Sequence, residues 1–136
     1  MKRITRDSIL FLIGGLGYVI IELLWRGRSH ITMFFAGGIC FLSFLYISQK
    51  FATRPLLFKA LLAALSVTVT ELIFGLIFNV IFKMHIWDYS EMPFNLFGQV
   101  CLLFSFLWGL IALIALPFVS YINRKIEFLL DFNIQY

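Results

Sequence analysis

The sequence is poor in charged residues, in cysteine and in proline. Charged residues make up 13% of its 136 positions and hydrophobic residues 62%, whereas soluble domains carry about 25% charged residues. A soluble domain of this size would expose much of that apolar surface to water, so a soluble fold is excluded. Disorder is excluded too, because 17 Phe in weakly charged runs is the reverse of a disordered composition. The composition predicts an integral membrane protein with one domain, residues 1–136.

The motifs that usually mark an enzyme or a nucleotide-binding protein are missing as well. There is no P-loop, GxGxxG, HExxH or familiar nucleophile–base arrangement. Cys40 and Cys101 lie in apolar runs without metal-ligand spacing, so we interpret them as free packing thiols, with a disulfide or a metal role as the alternative. The net charge is +4, but the basic residues form no nucleic-acid-binding patch. We predict no cofactor, no metal, no nucleic-acid partner and no nameable catalytic residue; an enzyme is the less expected class.

Four apolar runs dominate the chain. Each is long enough to cross the hydrocarbon core of a bilayer, and backbone groups in lipid must bond within a helix unless strands close a barrel. The pattern predicts an all-α fold with four transmembrane helices, at about 8–25, 31–48, 55–82 and 94–118. Residues 119–136 are predicted to form a cytoplasmic tail or an interfacial amphipathic helix. The basic start resembles a signal peptide but lacks a small-x-small cleavage site, so we expect the first helix to be retained.

The distribution of Lys and Arg predicts the orientation. With the N-terminus inside, eight basic residues fall in the inner segments and three in the outer loops. The positive-inside rule then favours a cytoplasmic N-terminus and C-terminus in the cell membrane. Membrane lipid is the expected surrounding.

A weak internal repeat relates the two halves of the chain. The first helix of each half carries a glutamate, Glu22 and Glu71, and segment 37–42 aligns with segment 98–103. Both halves would begin inside, so the interpretation is two helical hairpins repeated in parallel. Apolar segments also align by chance, and that alternative stays open.

Glu22 and Arg26 are charged residues near the outer end of the first helix. Their i,i+4 spacing, with Glu before Arg, favours an ion pair. Glu22 is either a carboxylate that handles a ligand or a proton, or one half of a salt bridge that fixes the helix.

Glu71 is the most deeply placed charge, near the middle of the third run. An ionisable group at this depth costs about 2.5–3.5 kcal/mol on insertion and usually faces protein or water. Thr68, Gly75 and Asn79 share its helix face, which predicts a polar track that rises to the outer surface. The track either lines a functional cavity or holds helices together.

Further polar and aromatic residues gather at the predicted outer end. Trp87 and Tyr89 suit an interfacial aromatic belt, His30 begins the second helix, and Asn95 and Gln99 are i,i+4 on the predicted fourth helix. The predicted pocket set is Glu22, Arg26, His30, Glu71, Asn79, Trp87, Asp88, Tyr89, Asn95 and Gln99.

Several of these residues together resemble a known family. The resemblance covers nearly the whole chain and rests on Glu22, the segment 26–30, Thr70, Glu71, Gly75, the segment Trp87-Asp88-Tyr89-Ser90, Asn95, Gly98 and Trp108. The chain is similar to the bacterial family named for a type IV ABC-transporter permease (CmpB-like), which is related to animal transmembrane protein 229. The resemblance implies a small polytopic membrane protein without an assigned substrate, and any ATPase would be a separate partner subunit.

The function we predict is a small permease or channel-like transport protein with an outward-facing polar pocket. Four helices are few for enclosing a path, so we expect a homodimer that pairs through small residues such as Gly14, Gly15, Gly17, Gly37 and Gly38. Two alternatives stay open. The first is a membrane-embedded enzyme or lipid-binding protein that uses Glu22, Glu71 and Asp88. The second is an accessory subunit of a larger membrane complex.

Overall fold

The computed structural model describes residues 1–132, and most of this part of the chain is helical. Its elements are α1 Lys2–Arg26, α2 Ile31–Lys50, α3 Leu56–Phe74, a π-helical segment Gly75–Ile81, β1 Asn95–Leu96, β2 Val100–Cys101 and α4 Leu102–Phe132. With the π-helical segment counted as part of α3, four helices in the described residues are long and apolar enough to cross a membrane. The all-α class with four membrane-spanning helices is confirmed.

Short connections at residues 27–30 and 51–55 make α1, α2 and α3 successively antiparallel. Gly27 ends α1 in the left-handed conformation, with φ 71° and its N–H bonded to the Leu23 carbonyl at 2.9 Å. His30 then caps α2 by accepting the Thr32 N–H at Nδ1, 3.2 Å away. We call the end of the bundle with residues 27–30 and 82–101 the distal end. The opposite end, with the N-terminus and the turn at 51–55, is the terminal end.

Glycines allow α1 and α2 to approach very closely. A Cβ on Gly14 would lie 2.7 Å from the Gly37 carbonyl oxygen and in collision with the Phe41 Cβ, and a Cβ on Gly37 would lie 2.6 Å from the Gly14 oxygen. Gly15 and Gly38 likewise have no room for a side chain, because phenylalanine rings cover them. These four glycines were expected at a homodimer interface; the structure uses them inside one chain, since only glycine permits this backbone separation.

The fourth helix differs from its prediction at both ends. It begins at Leu102 rather than near Phe94 and continues through Pro117 to Phe132 without a break. Proline removes one helical hydrogen bond, but Val119, Asn123 and Ile126 beyond it are buried and keep the helix packed on the bundle. The predicted separate tail is therefore an extension of α4, with residues 133–136 outside the described part.

The first helix also begins earlier than predicted. Its basic first turn, which we placed before the helix, is part of α1. Two ion pairs fix it to the end of α4: Lys2 Nζ lies 2.7 Å from Asp131 Oδ1, and Arg6 Nη1 lies 2.9 Å from Glu127 Oε1. These contacts close the seam between α1 and α4 at the terminal end.

A hairpin occupies positions 94–101, where we predicted helix. Asn95 pairs with Cys101 and Leu96 with Val100 across two antiparallel strands. The left-handed backbone conformation of Phe94, Phe97 and Gly98 is incompatible with an α-helix. Gly37 lies within α2 whereas Gly98 lies in this turn, so the predicted repeat does not extend to the 37–42 and 98–103 segments.

Candidate functional site

A cleft of about 240 Å³ lies between α1 and α4 near the distal end. Its polar lining consists of Glu22, Arg26, Glu71 and Tyr89. Its remaining walls are aromatic and aliphatic: Ile21, Trp25, Phe104, Leu107, Trp108, Leu110 and Ile111. Four of the predicted pocket residues thus meet at one cavity.

Glu71 is the buried polar group of this cleft. It sits in the last turns of α3 with 5% of its surface exposed. Its Oε1 accepts two hydrogen bonds, from the Tyr18 hydroxyl at 2.9 Å and from Trp108 Nε1 at 3.0 Å. Both donors are neutral, and none of the ion pairs within residues 1–132 involves Glu71. A buried carboxylate is therefore oriented without being neutralised by a cation of the chain.

Tyr18 and Trp108 form a platform that positions Glu71. Their rings stack at 5.1 Å between centroids, so α1 and α4 are joined across the seam by the same side chains that donate to Glu71. Three helices thus converge on one carboxyl oxygen.

The Glu22–Arg26 pair predicted from its i,i+4 spacing is confirmed. Arg26 Nη2 lies 2.6 Å from Glu22 Oε2. The two side chains form an ion pair, but their relative orientation does not make a hydrogen bond. Arg26 Nη1 also donates to the Ile86 carbonyl at 3.0 Å. The guanidinium therefore fixes the distal loop to α1, and the buried Arg26 Nε has no hydrogen-bond partner in the described part of the chain.

Aromatic rings form the distal wall of the cleft. Tyr89 stacks on Phe104 at 4.8 Å, and Trp25 meets Phe104 edge to face at 6.2 Å. Burial raises the pKa of the Tyr89 phenol, so Tyr89 contributes an uncharged surface at neutral pH. Aromatic side chains thus line the cleft beside its polar groups.

The predicted polar track from Glu71 to the surface is closed. Asn79 Nδ2 donates to Gln99 Oε1 at 2.9 Å, and Asn79 Oδ1 accepts the Ile86 N–H at 2.7 Å. Gln99 also packs on Gly75, where a Cβ would come 2.5 Å from its Oε1. The prediction that this track gives access to Glu71 is wrong, because the Gln99 side chain occupies it. Glu71 instead lines the cleft in the seam between α1 and α4.

Three other predicted pocket residues hold the distal loop together. Trp87 Nε1 donates to the Gln99 carbonyl at 2.8 Å. Asn95 Nδ2 donates to the Met92 carbonyl at 2.8 Å, and Asn95 Oδ1 accepts the Gly98 N–H at 3.0 Å. Asp88 Oδ1 accepts the Ser90 N–H at 2.9 Å, and this bond lowers the pKa of the Asp88 carboxyl. None of the three lines the cleft.

His30 also lies away from the cleft, because its ring caps α2. The predicted pocket set did not include Tyr18, Trp25, Phe104 or Trp108, although Trp108 is among the residues on which the family resemblance rests. Tyr18 shares a helix face with Glu22 and Arg26, which is the one signal that could have found it. Within residues 1–132, no three His, Cys, Asp or Glu side chains are grouped to hold a metal ion.

Comparisons with known proteins give the chain a family. No curated protein and no solved structure matches it. The predicted relation to transmembrane protein 229 stays a prediction. Residues 9–135 match the model of the family described as "Putative ABC-transporter type IV", and the chain belongs to that family.

Proposed function

We propose that this membrane protein is a small permease, acting as a homodimer, whose substrate site is the cleft at Glu71. The observation that carries the proposal is a buried carboxylate at a cavity, whose hydrogen-bond donors within residues 1–132 are both neutral. Ionisable groups at membrane depth usually mark substrate or ion pathways. Membership of a transporter-type family supports a role in transport.

The charge balance of the cleft favours a cationic substrate. Glu22 and Glu71 contribute two formal negative charges and Arg26 one positive charge, which leaves one negative charge. Because Arg26 is already paired with Glu22, Glu71 is the carboxylate that remains to receive a cation. The rings of Trp25, Tyr89 and Trp108 add attraction between a cation and an aromatic face, worth roughly 0.5–2 kcal/mol.

Downhill uptake into proteoliposomes tests this function. We expect the purified protein to take up tetraethylammonium or ethidium faster than protein-free liposomes do, with saturation, and to leave benzenesulfonate uptake unchanged. Uptake of the anion alone, or of neither cation, would contradict the proposal.

We propose further that the distal end faces the outside of a bacterial cell. The Lys and Arg distribution supports this orientation. Single cysteines at Ser90 and Lys125, both exposed, report the two ends, while the native Cys40 and Cys101 are buried. In intact cells, a membrane-impermeant maleimide should label the S90C variant and should label K125C only after permeabilisation. The reverse pattern would show the opposite orientation.

A further inference from the structure

An apolar groove of about 440 Å³ continues from the cleft along α1 and α4. The two cavities share Ile21, Trp108 and Ile111. Apart from Tyr18 and Cys40, every residue that lines the groove is apolar or glycine. On α1 the groove extends from Ile21 back to Ile13, which is about 12 Å at 1.5 Å per residue.

The groove runs along the seam between α1 and α4, on the distal side of the seam's closed end. The ion pairs Lys2–Asp131 and Arg6–Glu127 hold the seam closed at the terminal end. Above them, Gly17 leaves open space, since a Cβ placed there would meet no atom within 4 Å. In a bilayer this gap faces the acyl chains, so an alkyl chain can enter without passing through water.

We propose that the occupant of the combined site is a cationic amphiphile with an ammonium head and one alkyl chain. The inference rests on the proposed function and names its substrate class. The ammonium group lies against Glu71, among Trp25, Tyr89 and Trp108, and the alkyl chain fills the groove past Gly17.

Charge complementarity selects this occupant over other amphiphiles. An anionic head would meet Glu22 and Glu71, with the guanidinium of Arg26 already engaged by Glu22 and Ile86. A neutral head would leave the charge of Glu71 without a counter-charge. The combined volume of the two cavities falls in the range of small-ligand sites. This volume suits a ligand with a single alkyl chain.

Calorimetric titration in nanodiscs of digalactosyldiacylglycerol, a lipid without charged groups, tests the inference. The probes are dodecyltrimethylammonium, tetramethylammonium, which has no chain, and dodecyldimethylphosphine oxide, which has the chain but no charge. Heats from empty nanodiscs are subtracted. We expect the affinity for dodecyltrimethylammonium to be at least about tenfold higher than for either other probe, because only this probe uses both parts of the site.

Two variants separate the parts of the site. Gly17→Leu fills the groove, so it should weaken dodecyltrimethylammonium about tenfold and leave tetramethylammonium unchanged. Gly109→Ala is the matched control, since its Cβ would meet only Ala64 at an ordinary 3.6 Å and Gly109 lines neither cavity; it should change neither affinity. Glu71→Gln should weaken both cations and spare the phosphine oxide.

The outcomes distinguish failure of this inference from failure of the proposed function, cation transport. If Gly17→Leu binds dodecyltrimethylammonium as well as the natural chain does, or if the phosphine oxide binds equally tightly, the amphiphile is overturned while cation transport stands. If neither dodecyltrimethylammonium nor tetramethylammonium binds, and neither tetraethylammonium nor ethidium is taken up, the proposed function fails and the inference fails with it.

Discussion

Glu71→Gln should slow cation uptake roughly thirtyfold while leaving the protein inserted and folded. Glutamine presents the same Oε1 acceptor to Tyr18 and Trp108, so both hydrogen bonds at 2.9 and 3.0 Å persist. Only the charge is lost. Removing one partner of a desolvated charge pair costs about 2 kcal/mol or more, which corresponds to roughly a thirtyfold loss of affinity. Initial uptake rates at low cation concentration and thermal unfolding in nanodiscs measure the two effects separately.

Glu22→Gln is the contrasting variant. It removes the charge that Arg26 contacts at 2.6 Å and leaves a half-buried guanidinium whose other end holds the distal loop. We expect about 1–3 kcal/mol of lost stability, less than the 3–5 kcal/mol of a fully buried pair because both side chains keep some solvent exposure. The free energy of unfolding should therefore fall in Glu22→Gln and stay nearly unchanged in Glu71→Gln.

Two results would contradict this assignment. Unchanged uptake in Glu71→Gln would make the residue a structural bridge between helices. A collapse of expression in Glu71→Gln would mean that its charge is needed for folding, even though no ion pair in the described residues includes it.

The helices were predictable because the membrane imposes simple rules on sequence. Length and hydropathy place α2 within two residues of its observed end, and the Glu22–Arg26 pair follows from spacing along one helix. The boundaries of α1 and α4 were wrong at the terminal end for a common reason. Lys2 and Arg6 pair with residues more than 120 positions away, and no local pattern reports such partners.

The distal loop was not predictable from local pattern. Lys83, His85, Phe94 and Phe97 adopt positive φ, a conformation that few residues other than glycine favour. Long-range bonds stabilise it, such as those from Asn79 to Gln99 and Ile86. A polar side chain in an apolar sequence looks the same whether it satisfies a loop backbone or faces a cavity. Sequence reasoning therefore assigned Asn79, Asn95 and Gln99 to the pocket, although they build the loop beside it.

The aromatic side of the site was missed for a related reason. Tyr18 and Trp108 occupy helix positions that a packed core also explains, and aromatic residues are frequent throughout this chain. Their role depends on one contact that links three helices, the shared Oε1 of Glu71. Only the arrangement of α1, α3 and α4 in space shows it.

Gly14→Ala should be the most destabilising small substitution in the bundle. The added methyl group would collide with the Phe41 Cβ and approach the Gly37 oxygen to 2.7 Å, so α1 and α2 must move apart. Overpacking of this kind costs about 1–3 kcal/mol, which corresponds to a fall of roughly 3–10 °C in melting temperature.

Gly17→Ala is the matched control, three residues along the same helix. Its methyl group enters open space, and alanine favours helix over glycine, so the melting temperature should stay the same or rise slightly. Equal melting temperatures for the two variants would contradict the close α1–α2 contact.

Gly14→Ala should also weaken the binding of a cation in the cleft. Gly14 and Tyr18 share one face of α1, and the Tyr18 side chain lies against Gly37. Displacing α1 therefore pulls the Tyr18 hydroxyl away from Glu71 and loosens the stacked pair with Trp108. Tetramethylammonium affinity should fall in Gly14→Ala and stay normal in Gly17→Ala. Combining Gly14→Ala with Glu71→Gln should add little further loss of tetramethylammonium affinity, because both act on one site. Fully additive losses would mean that the glycine contact and the carboxylate are independent.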